Sequence, residues 1–170
     1  MPAPPPSSTA VPPTFDTRYF RDTLSQFATG VTVITTRLAD GSFLGLTASS
    51  FNSVSLDPPL VLWCLSRTAK SLPVFTGNSH YVINVLSASQ AGLADRFSKR
   101  VDNRFDGVEF TLSHTGLPIL KGVSAWFECH NRSRYPEGDH VIFVGEVERC
   151  EACPQPALVF HHGKFFSTQG

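Results

Sequence analysis

The stretch TASSFNSVSLDPP, Thr47 to Pro59, is dense in neutral hydrogen-bonding groups. From Thr47 to Ser55, six of nine residues carry a hydroxyl or a side-chain amide, and none carries a charge. SVSLDPP alternates polar and apolar residues, as a half-buried strand does, and its double proline stops ladder donation and pushes Asp57 toward an extended conformation. LVLWCLS, Leu60 to Ser66, follows at once, and its unbroken apolar run implies a strand buried on both faces. The residues alone leave two readings of Thr47–Ser55 open. Its hydroxyls could face water along an edge strand, or they could hold a flat, uncharged, hydrogen-bonding heterocycle. A hard metal ion asks for carboxylates, and none lies between Thr47 and Leu56.

Upstream, GVTVITT brings β-branched residues suited to a largely buried strand, and ADGS supplies Asp-Gly turn chemistry before FLGLTASS resumes, so the two runs read as a hairpin. Before them, Asp16 or Thr17 can cap a helix that places Phe20, Leu24 and Phe27 on one face for packing and ends at Gly30. Downstream, TAKSLPVFTGN mixes a short helix with breakers, and YVINVL, Tyr81 to Leu86, reads as another buried strand. Ser87 followed by Gln90 is a capping-box pattern, and Ala91, Ala94 and Phe97 continue one helical face down to Ser98. SAWFECHNRS and HVIFVGEVERC give two longer strands about a turn at YPEGDH, and ALVFHHGKFFS gives a last hairpin.

Seven or more closely spaced strands with two or three short helices predict a mainly β protein, a closed or nearly closed barrel, because strands and helices do not alternate as βαβ units require. A chain of 170 residues with 41% hydrophobic content fits one such domain, assigned to residues 15–170. Residues 1–14 hold six of the 13 prolines and read as a disordered, polyproline-like tail. The 14 basic residues balance 14 acidic ones, so bulk charge points to no polyanionic partner. No apolar run approaches the roughly 20 residues of a membrane span. The N-terminus lacks the basic and apolar regions of a secretory signal, so the expected location is cytoplasmic. The four cysteines are too few for a disulfide scaffold in a chain of this size and suit a reducing compartment.

Neither a G-x-G-x-x-G turn nor a Walker A motif is present, so any dinucleotide must be held by another route. Ser98, Lys99 and Arg100 could meet a phosphate, although cations at a helix C-terminus also answer its macrodipole without a ligand. His140, beside Gly138 and Asp139, could sit at a pocket mouth or be a plain turn residue. Cys150 and Cys153 have C-x-x-C spacing, but a second such pair is missing and His161 and His162 are adjacent, so a surface turn is expected there, not zinc or a redox pair. A hydrolase has no G-x-S-x-G elbow to support it.

Five segments together resemble the short-chain flavin reductases that supply reduced flavin to two-component flavin-dependent monooxygenases: FATGVTVITT (Phe27 to Thr36), GLTASSFNSVSLDPPLVL (Gly45 to Leu62), YVINVLSASQ (Tyr81 to Gln90), GDHVIFVGEV (Gly138 to Val147) and HGKFF (His162 to Phe166). They occur in family order over nearly everything beyond the tail. The resemblance implies a flavin-binding split barrel, a Greek-key β-barrel working as a homodimer, with FAD or FMN near the subunit interface and NADH or NADPH stacked on it. It implies that Thr47, Ala48, Ser49 and Ser50 line the flavin with Cys64, Leu65 and Ser66. Ser71, Phe97, Ser98, Lys99 and Arg100 would lie toward its ribityl phosphate end, and His140, Lys164 and Phe165 would meet the nicotinamide. No residue is implied as a catalytic acid or base, since the hydride passes directly between cofactors. A same-barrel flavoprotein with tightly bound FMN and a non-enzymatic flavin carrier are the alternative readings.

Overall fold

The chain turns at the points its prolines, glycines and caps dictate, giving three helices and twelve strands among the described residues, 11–169, of this computed structural model. Residues 1–10 of the proposed tail lie outside them, and residues 11–14 form neither helix nor strand. Helix α1 (Thr17–Leu24) leads to the two-residue strand β1 (Thr29–Gly30) and the hairpin of β2 (Thr32–Arg37) and β3 (Phe43–Ala48). A second hairpin, β4 (Asn52–Leu56) and β5 (Pro59–Ser66), precedes α2 (Leu72–Gly77) and β6 (His80–Val85). The Ser87–Gln90 capping box forms as expected, but it closes a single 3-10 turn, Ala88–Gln90, from which α3 (Ala91–Ser98) continues. Then come β7 (Phe110–Leu112), β8 (Pro118–Leu120), the long pair β9 (Ala125–Glu137) and β10 (His140–Ala152), and the closing hairpin β11 (Leu158–His161) and β12 (Lys164–Ser167).

Seven strands form one antiparallel sheet in the order β3-β2-β6-β9-β10-β5-β4. Its two edges, β3 and β4, are consecutive in sequence and joined by Ser49–Phe51, so the sheet curls until its edges face each other. The result is the expected split barrel, flanked by the small sheets β1-β11-β12 and β7-β8.

Inside the barrel, Trp63 stacks on Phe143 at 4.6 Å and meets Phe75 and Tyr81 edge-on at 5.0 and 5.5 Å. A second core, with Val31, Val33, Leu86, Ala94, Phe97 and Leu120, lies between the barrel wall and α3. Strand β2 is therefore covered on both faces, with Ile34 in the first core and Val33 in the second. Asn84 fixes the outer layer by donating to the Val33 carbonyl (3.1 Å) and accepting the Leu120 amide (2.9 Å). Fully buried Glu128 accepts the Thr115 amide (2.9 Å) and hydroxyl, pinning the β7–β8 connection.

The structure corrects four expectations. Strand β5 is buried on one face only: Val61, Trp63 and Leu65 point inward, while Leu60, Leu62, Cys64 and Ser66 are half-buried on the outer side. Helix α1 ends at Leu24, well before Gly30, and buries nothing, because Phe20, Leu24 and Phe27 stay 46, 55 and 77% exposed. Its cap is Asp16, which accepts the Tyr19 amide at 2.8 Å. The turn at YPEGDH shrinks to Gly138–Asp139, since β9 and β10 stay paired out to Glu137 and His140 and Gly138 takes φ +56°. Cys150 lies within β10 and Cys153 just beyond its end, so the C-x-x-C is extended backbone and not a turn.

Gly145 marks how tightly β9, β10 and β6 pack. A Cβ there would stand 2.5 Å from the Tyr81 hydroxyl and 2.9 Å from Cys129 Cβ. Gly145→Ala is expected to cost about 1–3 kcal/mol through overpacking, read as a lower urea midpoint with an unchanged m-value.

Candidate functional site

Strand alternation decides which residues of the opening stretch can reach a ligand. Leu46 and Ala48 turn into the barrel, and Thr47 turns outward to α3, where its hydroxyl donates to the Ala94 carbonyl at 2.7 Å. Ser49 is exposed at the β3–β4 connection. Ser50 reaches across it and accepts the Cys64 amide at 2.8 Å. Cys64 and Ser66 share the outer face of β5, and the register sets His140 directly opposite Ser66. One continuous surface thus runs from the uncharged hydroxyl segment to the histidine.

The His140 end is held by groups that no spacing announced. Arg67 donates its amide to the Asp139 carbonyl (2.9 Å) and its guanidinium to the Gly138 carbonyl (3.3 Å). Asp139 Oδ1 lies 2.7 Å from His140 Nδ1. That hydrogen bond and the imidazole's charge, with a smaller contribution from Arg21, hold the Asp139 carboxyl below its ordinary range. Burial pushes the Cys64 thiol up, partly offset by its contact with Ser50, so the surface keeps a neutral thiol. On the other side, Arg104 donates to the Gly45 carbonyl at 2.8 Å and steadies the backbone ahead of Thr47.

The remaining expected residues divide by geometry. Ala48, Leu65 and Phe97 are only 8, 7 and 1% exposed as whole residues, so they pack the wall beneath the surface. Phe97 is wedged against Gly45, where a Cβ would lie 2.7 Å from its ring. Ser98 donates to the Asp95 carbonyl at 2.6 Å and Lys99 pairs with the Asp95 carboxylate, while Arg100 is exposed. Ser71 stands at the start of α2 with its hydroxyl making no cap bond. Lys164 and Phe165 are exposed on β12; it is Phe160, His161 and His162 of the same hairpin that line a cavity of about 230 Å³ with Ser49. A larger cavity, about 420 Å³ beside Arg37, Asn78 and His80, sits at the opposite end of the β2–β3 hairpin and touches none of the expected residues.

The donor set fits a flavin ring: hydroxyls, backbone groups and a neutral thiol along an open seam, beside half-buried Leu62 and Ile142. Among the described residues, no three His, Cys, Asp or Glu side chains gather as metal ligands.

A barrel whose seam presents neutral hydrogen-bonding groups, with a histidine two strands away, defines the class of flavin-binding split barrels. The flavin reductase like domain family matches residues 24–169, and the chain belongs to that family. With it the expected family, the flavin reductases, is borne out. A relative named "Probable flavin reductase" from Rhizobium meliloti is 42% identical over 91% of this chain, which spans 50% of that protein's length. The FMN reductase (NADH) SmoA of Agrobacterium fabrum is 41% identical, with 94% of this chain and 91% of that protein covered. HsaB of Rhodococcus jostii, the reductase subunit of a flavin-dependent monooxygenase, is 38% identical over 88% of this chain and 77% of its own. The solved structure of the NADH:FAD oxidoreductase SgcE6 from Streptomyces globisporus, in complex with NAD and FAD fragments, superposes with a TM-score of 0.85 at 35% identity, covering 91% of this chain and 95% of that one.

Ser50→Ala leaves the half-buried Cys64 amide without its acceptor. The expected cost is about 1 kcal/mol of stability, read from the denaturant midpoint, with flavin binding weakened several-fold in a fluorescence-quenching titration.

Proposed function

We propose that the protein, through its single domain at residues 15–170, passes a hydride from NADH or NADPH to FAD or FMN held at the barrel seam. Reduced flavin then leaves for a separate flavin-dependent monooxygenase. The observation that carries this reading is the placement of His140 opposite Ser66, on the strand that Ser50 ties to the hydroxyl segment. It puts a group suited to the nicotinamide within one surface of groups suited to the flavin. The family and the names of its members support the same reading.

The two cofactors supply the redox chemistry between them when bound. The protein's residues position: Thr47, Ser49 and Ser50 with Cys64 and Ser66 orient the flavin ring, and Ser71 and the Ser98–Arg100 segment take its phosphate end. His140, fixed by Asp139, sets the nicotinamide over the flavin, and Lys164 and Phe165 cover that side. Stacking at near-attack distance is worth more here than an acid or base. The protein is proposed to act as a homodimer in the cytoplasm. The exposed apolar residues of α1 support the first point and the four free cysteines the second. Phe27→Glu is expected to shift the sedimenting mass toward that of one chain.

The direct test mixes purified protein with NADH or NADPH and FAD or FMN and follows nicotinamide absorbance. Absence of flavin-dependent oxidation would sink the reductase reading in favour of a carrier, and yellow colour retained through gel filtration would favour a resident FMN. His140→Ala should raise KM for the nicotinamide about tenfold, since one well-placed polar contact is worth roughly 1.4 kcal/mol. The flavin Kd should change less than twofold; equal loss of both would remove His140 from the nicotinamide side.

A further inference from the structure

The larger cavity, at the far end of the β2–β3 hairpin from Thr47, belongs to none of the surfaces described above. About 420 Å³ in volume, it falls within the roughly 300–1,000 Å³ of small-molecule sites. Leu38, Pro73, Val74 and Leu117 give it an apolar lining, with Arg37 and Asn78 set among them.

Most polar groups of its wall are already spent on one another. The Thr36 hydroxyl donates to the His80 carbonyl (3.0 Å) and accepts from Asn78 (2.8 Å). His80 has Ser79 Oγ 2.9 Å from Nδ1 and Glu148 3.1 Å from Nε2. Thr115 donates its hydroxyl and amide to the Glu128 carboxylate behind the wall. Asn78 gives both amide protons away, to Thr36 Oγ1 and to the Arg37 carbonyl at 2.7 Å. A carbonyl only accepts, so the second contact fixes the amide's orientation and leaves Asn78 Oδ1 as a spare acceptor. Arg37 spends one N–H on the Gly116 carbonyl and keeps the rest of its donor fork. Its guanidinium lies over the Phe43 ring, 5.3 Å from the centroid, and among the described residues no carboxylate oxygen stands within 4.0 Å of it.

A cation without a carboxylate, beside an apolar floor, matches an anion with an apolar body. The spare acceptor calls for a donor as well, and the chain says where on the ligand it belongs. Asn78 sits against the Arg37 backbone, whereas the guanidinium lies a side-chain length away at Gly116, so anion and donor belong at opposite ends of the ligand.

We propose that this cavity binds a small organic acid. Arg37 grips its carboxylate, Pro73, Val74 and Leu117 take its apolar body, and a hydroxyl or amine at its other end donates to Asn78 Oδ1. A planar phenolic acid has that pattern. Strands β2 and β3 pair from Thr32–Ala48 at the seam end to Arg37–Phe43 at the cavity end, so the site stands apart from the hydride-transfer surface and does not depend on the reductase reading.

The probe is 4-hydroxybenzoate, titrated calorimetrically into the full chain with and without saturating FMN. Binding should persist when FMN is present, with amide NMR shifts at Ala39, Gly77 and Thr115 and none at Thr47 to Ser50. The uncharged 4-hydroxybenzamide should bind about tenfold more weakly, and Arg37→Ala should weaken 4-hydroxybenzoate by the same factor, the size of one charge-assisted pair. Arg37→Lys should recover part of that loss, and benzoate, which lacks the hydroxyl, should bind about threefold more weakly. Because Arg37 also anchors Gly116, Gly77→Leu serves as the second variant. A Cβ at Gly77 meets nothing within 4 Å, so the added bulk stands at the cavity rim without disturbing the core, and binding should again fall about tenfold. Flavin Kd should change less than twofold in either variant. Absence of heat from 4-hydroxybenzoate, competition with FMN, or undiminished affinity in both variants would overturn the site. Equally tight binding of inorganic phosphate would show a bare anion contact at Arg37 and overturn the organic acid.

Discussion

The bond from the Cys64 amide to Ser50 Oγ, 2.8 Å long, is the point where the seven-stranded sheet meets itself. A sheet edge exposes unpaired donors and acceptors and must be covered, paired or put to use. Here the edges are β3 and β4, and a three-residue connection lets one side chain stand in for the missing ladder. Because a side chain and not a strand closes the gap, a line of polar groups stays open along the seam. The barrel's incomplete closure and its open line of hydrogen-bonding groups are one fact.

The rest of the structure keeps that seam in place. Thr47 ties β3 to α3, Arg104 ties the Gly45 backbone to the loop beyond α3, and Phe97 fills the space that the missing Gly45 side chain leaves. The Trp63–Phe143 stack holds the inner face of β5 rigid while its outer face carries Cys64 and Ser66. An interior at crystal-like density transmits small shifts instead of absorbing them. A substitution in the core, such as one at Gly145, thus also bears on the geometry of the outer surface.

The fold was legible because its signals are local: β-branched runs, Asp-Gly and Gly-rich turns, a capping box and a double proline. What was not legible depended on partners distant in sequence. The outer face of β5 looked like core because Leu60 and Leu62 are apolar, and only the register with β10 shows them half-buried opposite Glu146 and Val144. Helix α1 has the periodicity of a packed helix, and the face it should bury finds no cover within one chain. Of the site, the hydroxyl segment and His140 could be picked out from residue type and resemblance. Arg21, Arg67, Arg104 and Asp139 could not, because an arginine on a backbone carbonyl and a carboxylate beside a histidine leave no periodic trace.

The distribution of charge completes the account. The hydroxyl run carries no charge from Thr47 to Leu56, and cations stand around it: Lys99 and Arg100 past α3, Arg67 on the Gly138 carbonyl and Arg104 on the Gly45 carbonyl. A molecule with uncharged rings and anionic tails has the same pattern. The ion pair of Lys99 with Asp95 is no obstacle, since both side chains are more than half exposed and such surface pairs are worth about 0–1 kcal/mol. A phosphate can draw Lys99 away at small cost. A charge placed within the seam, by contrast, would lack a partner in a half-buried surface and would cost far more to desolvate. Neutral contacts within the seam and cations around it therefore favour a ligand whose charge lies outside its rings.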